Sequence, residues 1–422
     1  MRIQIPKNQR RLISHLRGPL IKNAITIMLT SVSSAGFGFI FWMLAAKLYP
    51  EADVGIASAL ISSISLLVLL SRFGLDFSII RFFPTNDQSR IFATSLIVTT
   101  FFAVIFGAIF VASVNVFSPE LHLLKSPQNA MFFLLVLAVD SAIVLTGTSF
   151  IAIRKTEFYL MQNVVIGSKI LFIIPLAAFG AVGIFGAVGI SFMLALVAAL
   201  IFLVRSGIMP MFVVDRSFLN ETFHFSVGNY LAGTFMTAPN MILPIMALNM
   251  LGSEKLAYYY IVFAMTSLLF MVPTAISTSL FVEGSHGEAL KKTVLKSLAA
   301  TFSLLIPAVF ILYFGGGWLL NIIGESYSEN GLELLRIMVF ASFFMAITSI
   351  YFSIKRIQKD VKGLVILSGV IFVLLVGLGY VFMLMFGMVG LGYAWVVSYG
   401  VGTVIVGVIV CGRYGNKAGG FE

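Results

Sequence analysis

Long apolar runs, separated by short stretches that collect basic and turn-forming residues, occupy almost the whole chain. They fall at about 24–48, 54–80, 91–114, 129–153, 159–180, 183–205, 225–250, 256–282, 294–314, 332–354, 363–386 and 389–411. Each is near or above the ~20 residues that a helix needs to cross a bilayer. The runs are continuous and do not alternate, which excludes the ~10-residue strands of a membrane barrel. Lipid-exposed backbone must satisfy its own hydrogen bonds, so the runs predict α-helices. The pattern therefore predicts an all-α polytopic membrane protein with about 12 transmembrane helices in two six-helix lobes.

Composition agrees. Hydrophobic residues are 59% of 422 positions and charged residues 10%, against roughly a quarter charged in soluble domains. The net charge of +10 does not point to nucleic acid, because the basic residues lie singly between apolar runs, as the positive-inside rule requires. Placing the N-terminus inside puts 22 of the 27 Lys and Arg residues at cytoplasmic ends. These are Arg2, Lys7, Arg10, Arg11, Arg17 and Lys22 in the N-terminal arm; Arg72, Arg81 and Arg90; Arg154 and Lys155; Arg205 and Arg216; Lys291, Lys292 and Lys296; Lys355, Arg356, Lys359 and Lys362; and Arg413 and Lys417. Only Lys47, Lys125, Lys255 and Arg336 fall at outer ends, and Lys169 falls mid-span. Both termini are expected in the cytoplasm of a cell (plasma or inner) membrane. The apolar stretch behind the basic arm is too long for a signal-peptide core.

The chain reads as a duplication. At a shift of about 202 residues, Tyr49-Pro-Glu-Ala-Asp-Val-Gly meets Leu251-Gly-Ser-Glu-Lys-Leu-Ala, and Ile153-Arg-Lys meets Ile354-Lys-Arg. At a shift of 204, Gly183-Ile-Phe-Gly meets Gly387-Met-Val-Gly. Six spans per half make the repeats parallel, and transporters built this way hold substrate between the halves. The expected units are a basic arm at 1–23, an N-lobe at 24–205, an inter-lobe link at 206–224, a C-lobe at 225–411 and a short tail at 412–422.

Polar residues at helical spacing mark the spans that face something other than lipid. In the second span Ser58, Ser62, Ser65, Arg72 and Asp76 share one face, and in the seventh Ser226, Asn229, Gly233, Thr237, Asn240 and Pro244 do so. Small-residue helix packing explains hydroxyls equally well. Ionisable groups at depth cost ~2.5–3.5 kcal/mol each on insertion scales and so tend to be functional. Arg72 and Asp76 form either a self-neutralising i,i+4 pair or an anion site. Asp140 and Lys169 lie at similar depth and are expected to form a buried ion pair. Glu325, Glu329 and Glu333 read as a solvated face. His15, His122, His224 and His286 lie in separate loops or span ends, the single Cys411 cannot form an intrachain disulfide, and no phosphate-binding loop is present. No metal site, no cofactor and no enzymatic centre is expected.

The stretch Lys47-Leu-Tyr-Pro-Glu-Ala-Asp-Val-Gly-Ile-Ala-Ser, followed by Arg72-Phe-Gly-Leu-Asp-Phe-Ser-Ile-Ile-Arg81, resembles the polysaccharide-transporter (oligosaccharide flippase, Wzx-like) family. That family belongs to the multidrug/oligosaccharidyl-lipid/polysaccharide (MOP) superfamily. The glycines at 183–189 and 387–392 resemble its repeated glycine signature. The resemblance implies two MATE-like six-helix lobes around a cleft lined by the first, second, seventh and eighth spans. It implies a polyprenyl-phosphate- or pyrophosphate-linked glycan as substrate, moved to the outer leaflet by alternating access, with membrane lipids around it and a polymerase or glycosyltransferases of the same pathway as partners. Arg72 is then the first candidate for the phosphate, ahead of Lys169 and Arg81. Ser62, Ser65 and Asn240 are candidates for sugar hydroxyls, and Lys47 and Arg336 for the outer mouth. A cation-coupled drug exporter of the same superfamily is the alternative. It is expected to carry a carboxylate in the first or seventh run, and neither run contains one. A membrane glycosyltransferase or polymerase would use the same substrates but needs a large outer loop with catalytic groups.

Overall fold

The computed structural model describes residues 19–285, 290–358 and 360–418. Most of the expected basic arm, and the last four residues of the expected tail, lie outside them. The N-terminal half comprises α1 (Pro19–Leu48), α2 (Glu51–Ser71), a short α3 (Leu75–Phe82), α4 (Gln88–Ala112), α5 (Pro127–Ala152), α6 (Thr156–Gly167) and α7 (Gly180–Arg205). The C-terminal half comprises α8 (Arg216–Thr237), α9 (Pro239–Leu251), α10 (Ser253–Ser285), α11 (Leu290–Ile323), α12 (Glu325–Ile357), α13 (Val361–Phe386) and α14 (Val389–Ala418). Among the described residues ten helices are long and apolar enough to cross a bilayer, and α8 with α9 makes an eleventh span if that bent pair is counted as one.

The fifth run accounts for the shortfall from twelve. It is broken at Ser168, resumes as one turn at Lys169–Phe172, and ends in a 3-10 turn at Ala177–Phe179. Pro175 contributes to this, because a proline removes one helical N–H and crowds the carbonyl four residues earlier. At Gly167 a side chain would run into the ring of Phe37, so α6 lies unusually close to α1.

Two further runs are less regular than hydropathy suggests. The second ends at Ser71, where Phe73 (φ 47°) and Gly74 (φ 81°) turn the chain before α3. A β-carbon disfavours this left-handed region, so Gly74 suits the turn and Phe73 strains it. Arg72 and Asp76 are thus not on one face of one helix. The seventh run bends by 42° between Thr237 and Pro239, where proline cannot donate to the preceding turn. The polar stripe expected along 225–250 therefore divides at the bend.

The duplication is visible in the backbone. Gly180 (φ 55°, ψ −139°) precedes the last span of the first half, and Gly387 (φ 59°, ψ −139°) precedes that of the second. Three residues on, Gly183 lies against the carbonyl of Leu176 and Gly390 against that of Phe382, each too close for a methyl group. The equivalent glycines are therefore 180 with 387 and 183 with 390. The true shift here is three residues longer than the one read from Gly-x-x-Gly spacing.

The halves meet through α1 and α2 on one side and α9 and α10 on the other. The seam is tight at the end away from the chain termini. Gly55 of α2 lies against the backbone carbonyl of Ser253 at the start of α10, leaving no room for a β-carbon. Glu51 accepts a hydrogen bond from Ser326 at 2.6 Å, Ser118 donates to Asn249 at 3.1 Å, and Asn249 donates to the Phe117 carbonyl at 2.7 Å. Trp42 and Tyr260 pack with ring centroids 4.5 Å apart. The group facing Gly55 is backbone and cannot swing aside. Gly55→Ala should therefore hold this end of the seam open while the protein remains in the membrane. With Cys411 replaced by serine, a cysteine at buried Ser62 should react several-fold faster with a polar maleimide in the Gly55→Ala background. Equal reaction rates at equal abundance would show that the close approach is not required.

Candidate functional site

Toward the end that carries the termini, α1 and α10 separate. A cavity of about 310 Å³ opens between Ile27, Met28, Ser31 and Val32 of α1 and Ser267, Phe270, Met271, Thr274, Ala275 and Thr278 of α10. The seam is thus closed at one end and open at the end where Arg72, Arg81, Arg90, Arg154, Arg205 and Arg216 stand at or beside helix ends. The lining is mostly apolar with a few hydroxyls, which suits an amphipathic molecule better than a bare ion.

Arg72 stands where α2 ends, at the C-cap position. Its Nη1 lies 3.0 Å from Asp76 Oδ2, and both side chains are more than four-fifths covered. The pair is i,i+4 in number but spans the left-handed turn, so its geometry owes nothing to helix periodicity. The guanidinium is only partly used, since its Nε is buried without a partner. An unmade hydrogen bond from a buried charged donor costs ~1–3 kcal/mol or more. Tyr230 of α8 reaches across from the other half, and its hydroxyl donates to the carbonyls of Leu70 at 3.0 Å and Leu69 at 3.4 Å. Those carbonyls lie in the last turn of α2, where helical partners run out. Tyr230 also lies within electrostatic reach of both Arg72 and Asp76. Phe77 of α3 packs near Gly233 of α8, and Phe82 meets Phe218 edge-on at 5.8 Å.

The remaining candidates scatter. Asp140 feels the charge of Arg72 across α5 but forms no ion pair with Lys169. The break at Ser168 removes Lys169 from the expected helical register, and its ammonium instead lies 5.0 Å from the centre of the Phe41 ring. Arg81 is exposed in the last turn of α3, 5.7 Å from the Phe82 ring. Ser62 is buried in the closed part of the seam and hydrogen-bonds the Tyr260 side chain. Ser65 is half-buried one turn further along α2, and Asn240 is half-buried just past the bend. Lys47 is exposed in the last turn of α1. Arg336 is exposed, eleven residues into α12, 5.5 Å from the Tyr313 ring of α11 within the same lobe. Polar-stripe reasoning overlooked Tyr230 and Tyr260 because it followed hydroxyl, amide and charged groups and treated aromatics as apolar. A tyrosine at helical spacing with Ser226, Gly233 and Thr237 was the available signal.

The arrangement is thus two parallel halves whose seam is closed at one end and open at the other. Superposition identifies it as the fold of the MOP-superfamily transporters. The chain aligns with an inward-facing multidrug-resistance MATE family transporter of that superfamily at TM-score 0.72 and 15% identity, covering 92% of this chain and 96% of the other. An outward-facing MATE transporter aligns at TM-score 0.67 and 15% identity, over 96% and 97%. A MOP-superfamily transporter from Pyrococcus furiosus, described as having a binding pocket of reversed polarity that suggests a different function, aligns at TM-score 0.62 and 15% identity, over 92% and 95%. In sequence, a "Putative O-antigen transporter" of Shigella flexneri is 30% identical over 132 residues, or 29% of this chain and 32% of that protein. The match thus spans about a third of the relative's length. No family model matches the chain. The fold that the resemblance in the second span implies is borne out.

The separation of Asp140 from Lys169 has a direct consequence. If the two were paired, removing the ammonium would strand a buried carboxylate, at ~3–5 kcal/mol. Lys169→Met should instead leave membrane abundance near normal, because the methionine keeps the contact with Phe41. A collapse in abundance that Asp140→Asn reverses would show that the two charges pair after all.

Proposed function

We propose that this protein is a flippase for a polyprenyl-phosphate- or pyrophosphate-linked oligosaccharide. It would carry the glycan from the cytoplasmic to the outer leaflet by alternating access, within surface polysaccharide biosynthesis. The observation that carries this reading is the half-used guanidinium of Arg72, covered by both halves and placed toward the basic end of the seam. Planar guanidinium binds phosphate oxygens in a bidentate way that ammonium does not reproduce. Asp76 holds Arg72 until an anion competes for the same donors. The apolar cavity between α1 and α10 suits the first isoprene units of a lipid carrier, and its hydroxyls suit sugar. The local match to an O-antigen transporter relative supports the same class of substrate. By the positive-inside rule the open, basic end faces the cytoplasm, together with both termini, so the described conformation is ready to load. Glycosyltransferases or a polymerase of the same pathway would act before and after transport.

A cation-coupled drug exporter shares the fold, as the MATE neighbours do. Its coupling carboxylate has no counterpart among the described residues of α1. In the seventh span α8 begins at Arg216 and so takes in Glu221, but that side chain is exposed near the helix start and far from the seam's centre. Reading the chain as a transporter rather than an enzyme agrees with its relatives.

Arg72→Ala should abolish or severely reduce flipping while leaving the protein in the membrane, and Arg72→Lys should recover only part of the activity. Exchanging the pair (Arg72→Asp with Asp76→Arg) distinguishes binding from mere neutralisation. The exchange is expected to restore abundance without transport, read as lipid-linked glycan accumulating by mass spectrometry in a strain relying on the variant. A fully active exchange variant at normal abundance would remove Arg72 from the site.

A further inference from the structure

The link between the halves is not a slack tether. After Arg205, Ile208 is completely buried among Leu75, Ile79 and Phe92. The Met209 amide donates to Ser89 Oγ at 3.0 Å, and the Asp215 amide donates to Thr94 Oγ1 at 2.9 Å. Thr94 in turn donates to the Val213 carbonyl at 3.3 Å, and Asp215 caps α8 by accepting from Ser217 and Phe218. Residues 209–215 are thereby pinned along the first turns of α4. Ser89 and Thr94 are five residues apart, so the strap descends by roughly 7–8 Å at 1.5 Å per residue.

Everything this strap turns outward is apolar. Met209, Met211, Val213 and Val214 are each 40% exposed or more, and Phe212 is 100% exposed. Three arginines border it, Arg205, Arg216 and Arg90, all exposed. We infer that this strap is a membrane-surface anchor, with Phe212 and its apolar neighbours seated among the headgroups and first methylenes of the basic-end leaflet and the arginines on anionic lipid phosphates. Depth and chemistry agree. The strap has no helical or strand structure, and such backbone is excluded from hydrocarbon unless protein or water covers it. The headgroup boundary, ~5–10 Å deep, tolerates it while burying apolar side chains, and basic residues add attraction to anionic lipid. Because the strap joins the two halves, the pivot between them is held at a fixed depth. This inference rests on the membrane-spanning fold and not on the proposed substrate.

The test places a nitroxide on the strap of the full-length protein. With Cys411 replaced by serine, Phe212→Cys is spin-labelled and reconstituted in liposomes of phosphatidylethanolamine and phosphatidylglycerol. Asn86→Cys, on the exposed turn before α4, serves as the water-facing reference. Collision with oxygen relative to a water-soluble nickel chelate should be several-fold higher at 212 than at 86. Should the 212 variant fail to fold, Val214→Cys carries the same expectation. A label at the strap as open to nickel as the one at 86 would overturn the inference and leave the surface to a soluble protein partner.

Discussion

A helix interrupted inside a bilayer leaves carbonyls with nothing to accept from, and hydrocarbon offers no water to repair the loss. This chain interrupts its helices at three places between its ends and repairs two of them with side chains. The break after α2 frees carbonyls that Tyr230 reaches from the other half. In the broken fifth run the Ile173 carbonyl accepts from the Tyr49 hydroxyl at 2.6 Å, and burial, with the Asp53 charge beside it, holds that phenol above its ordinary pKa. At the third place, Pro239 frees the carbonyl of Phe235, and Thr237 beside it bonds back to the Gly233 carbonyl at 2.7 Å, a contact that favours bending. Each net hydrogen bond contributes only ~1 kcal/mol, but leaving the acceptor unmade costs more. Arg72, Lys169 and Asn240 stand at or beside these three breaks.

The same repairs bear on movement. Tyr230 joins the halves near the basic end with one hydroxyl, whereas the far end is joined by backbone contact at Gly55, by Glu51 with Ser326, and by Asn249 with Ser118 and Phe117. Under the proposed alternating access, rocking toward the opposite state would exchange the second set for contacts at the first. Each bond is small enough for a substrate with differential affinity for the two states to shift the balance. Under the proposed function Arg72 supplies that difference, because its partners depend on whether a phosphate is present.

Hydropathy showed the class of protein, nearly all the spans and the duplication, because apolar length and charge bias survive local irregularity. The resemblance implied the four spans that form the seam. Local geometry was not legible. Nothing in the run 54–80 announces that Phe73 adopts a positive φ, so Arg72 and Asp76 looked like one helical face. Depth counted along an unbroken fifth span brought Lys169 beside Asp140, and the break at Ser168 turns it toward Phe41 instead. Glycine spacing set the repeat three residues out of register, which only the matching backbone angles of Gly180 and Gly387 correct. The roles of Tyr49, Tyr230 and Tyr260 were not legible, because their rings satisfy an apolar pattern while their hydroxyls stitch elements together.

Transport of a lipid-linked glycan can be observed without a cell. Purified full-length protein would be reconstituted in liposomes carrying a prenyl-pyrophosphate-linked oligosaccharide in both leaflets, and glycan accessibility read with a membrane-impermeant lectin. The account predicts that nearly all of the glycan becomes accessible over time in vesicles that contain the protein. Accessibility that stays at the outer-leaflet share seen in protein-free vesicles, with correctly folded protein present, would contradict it.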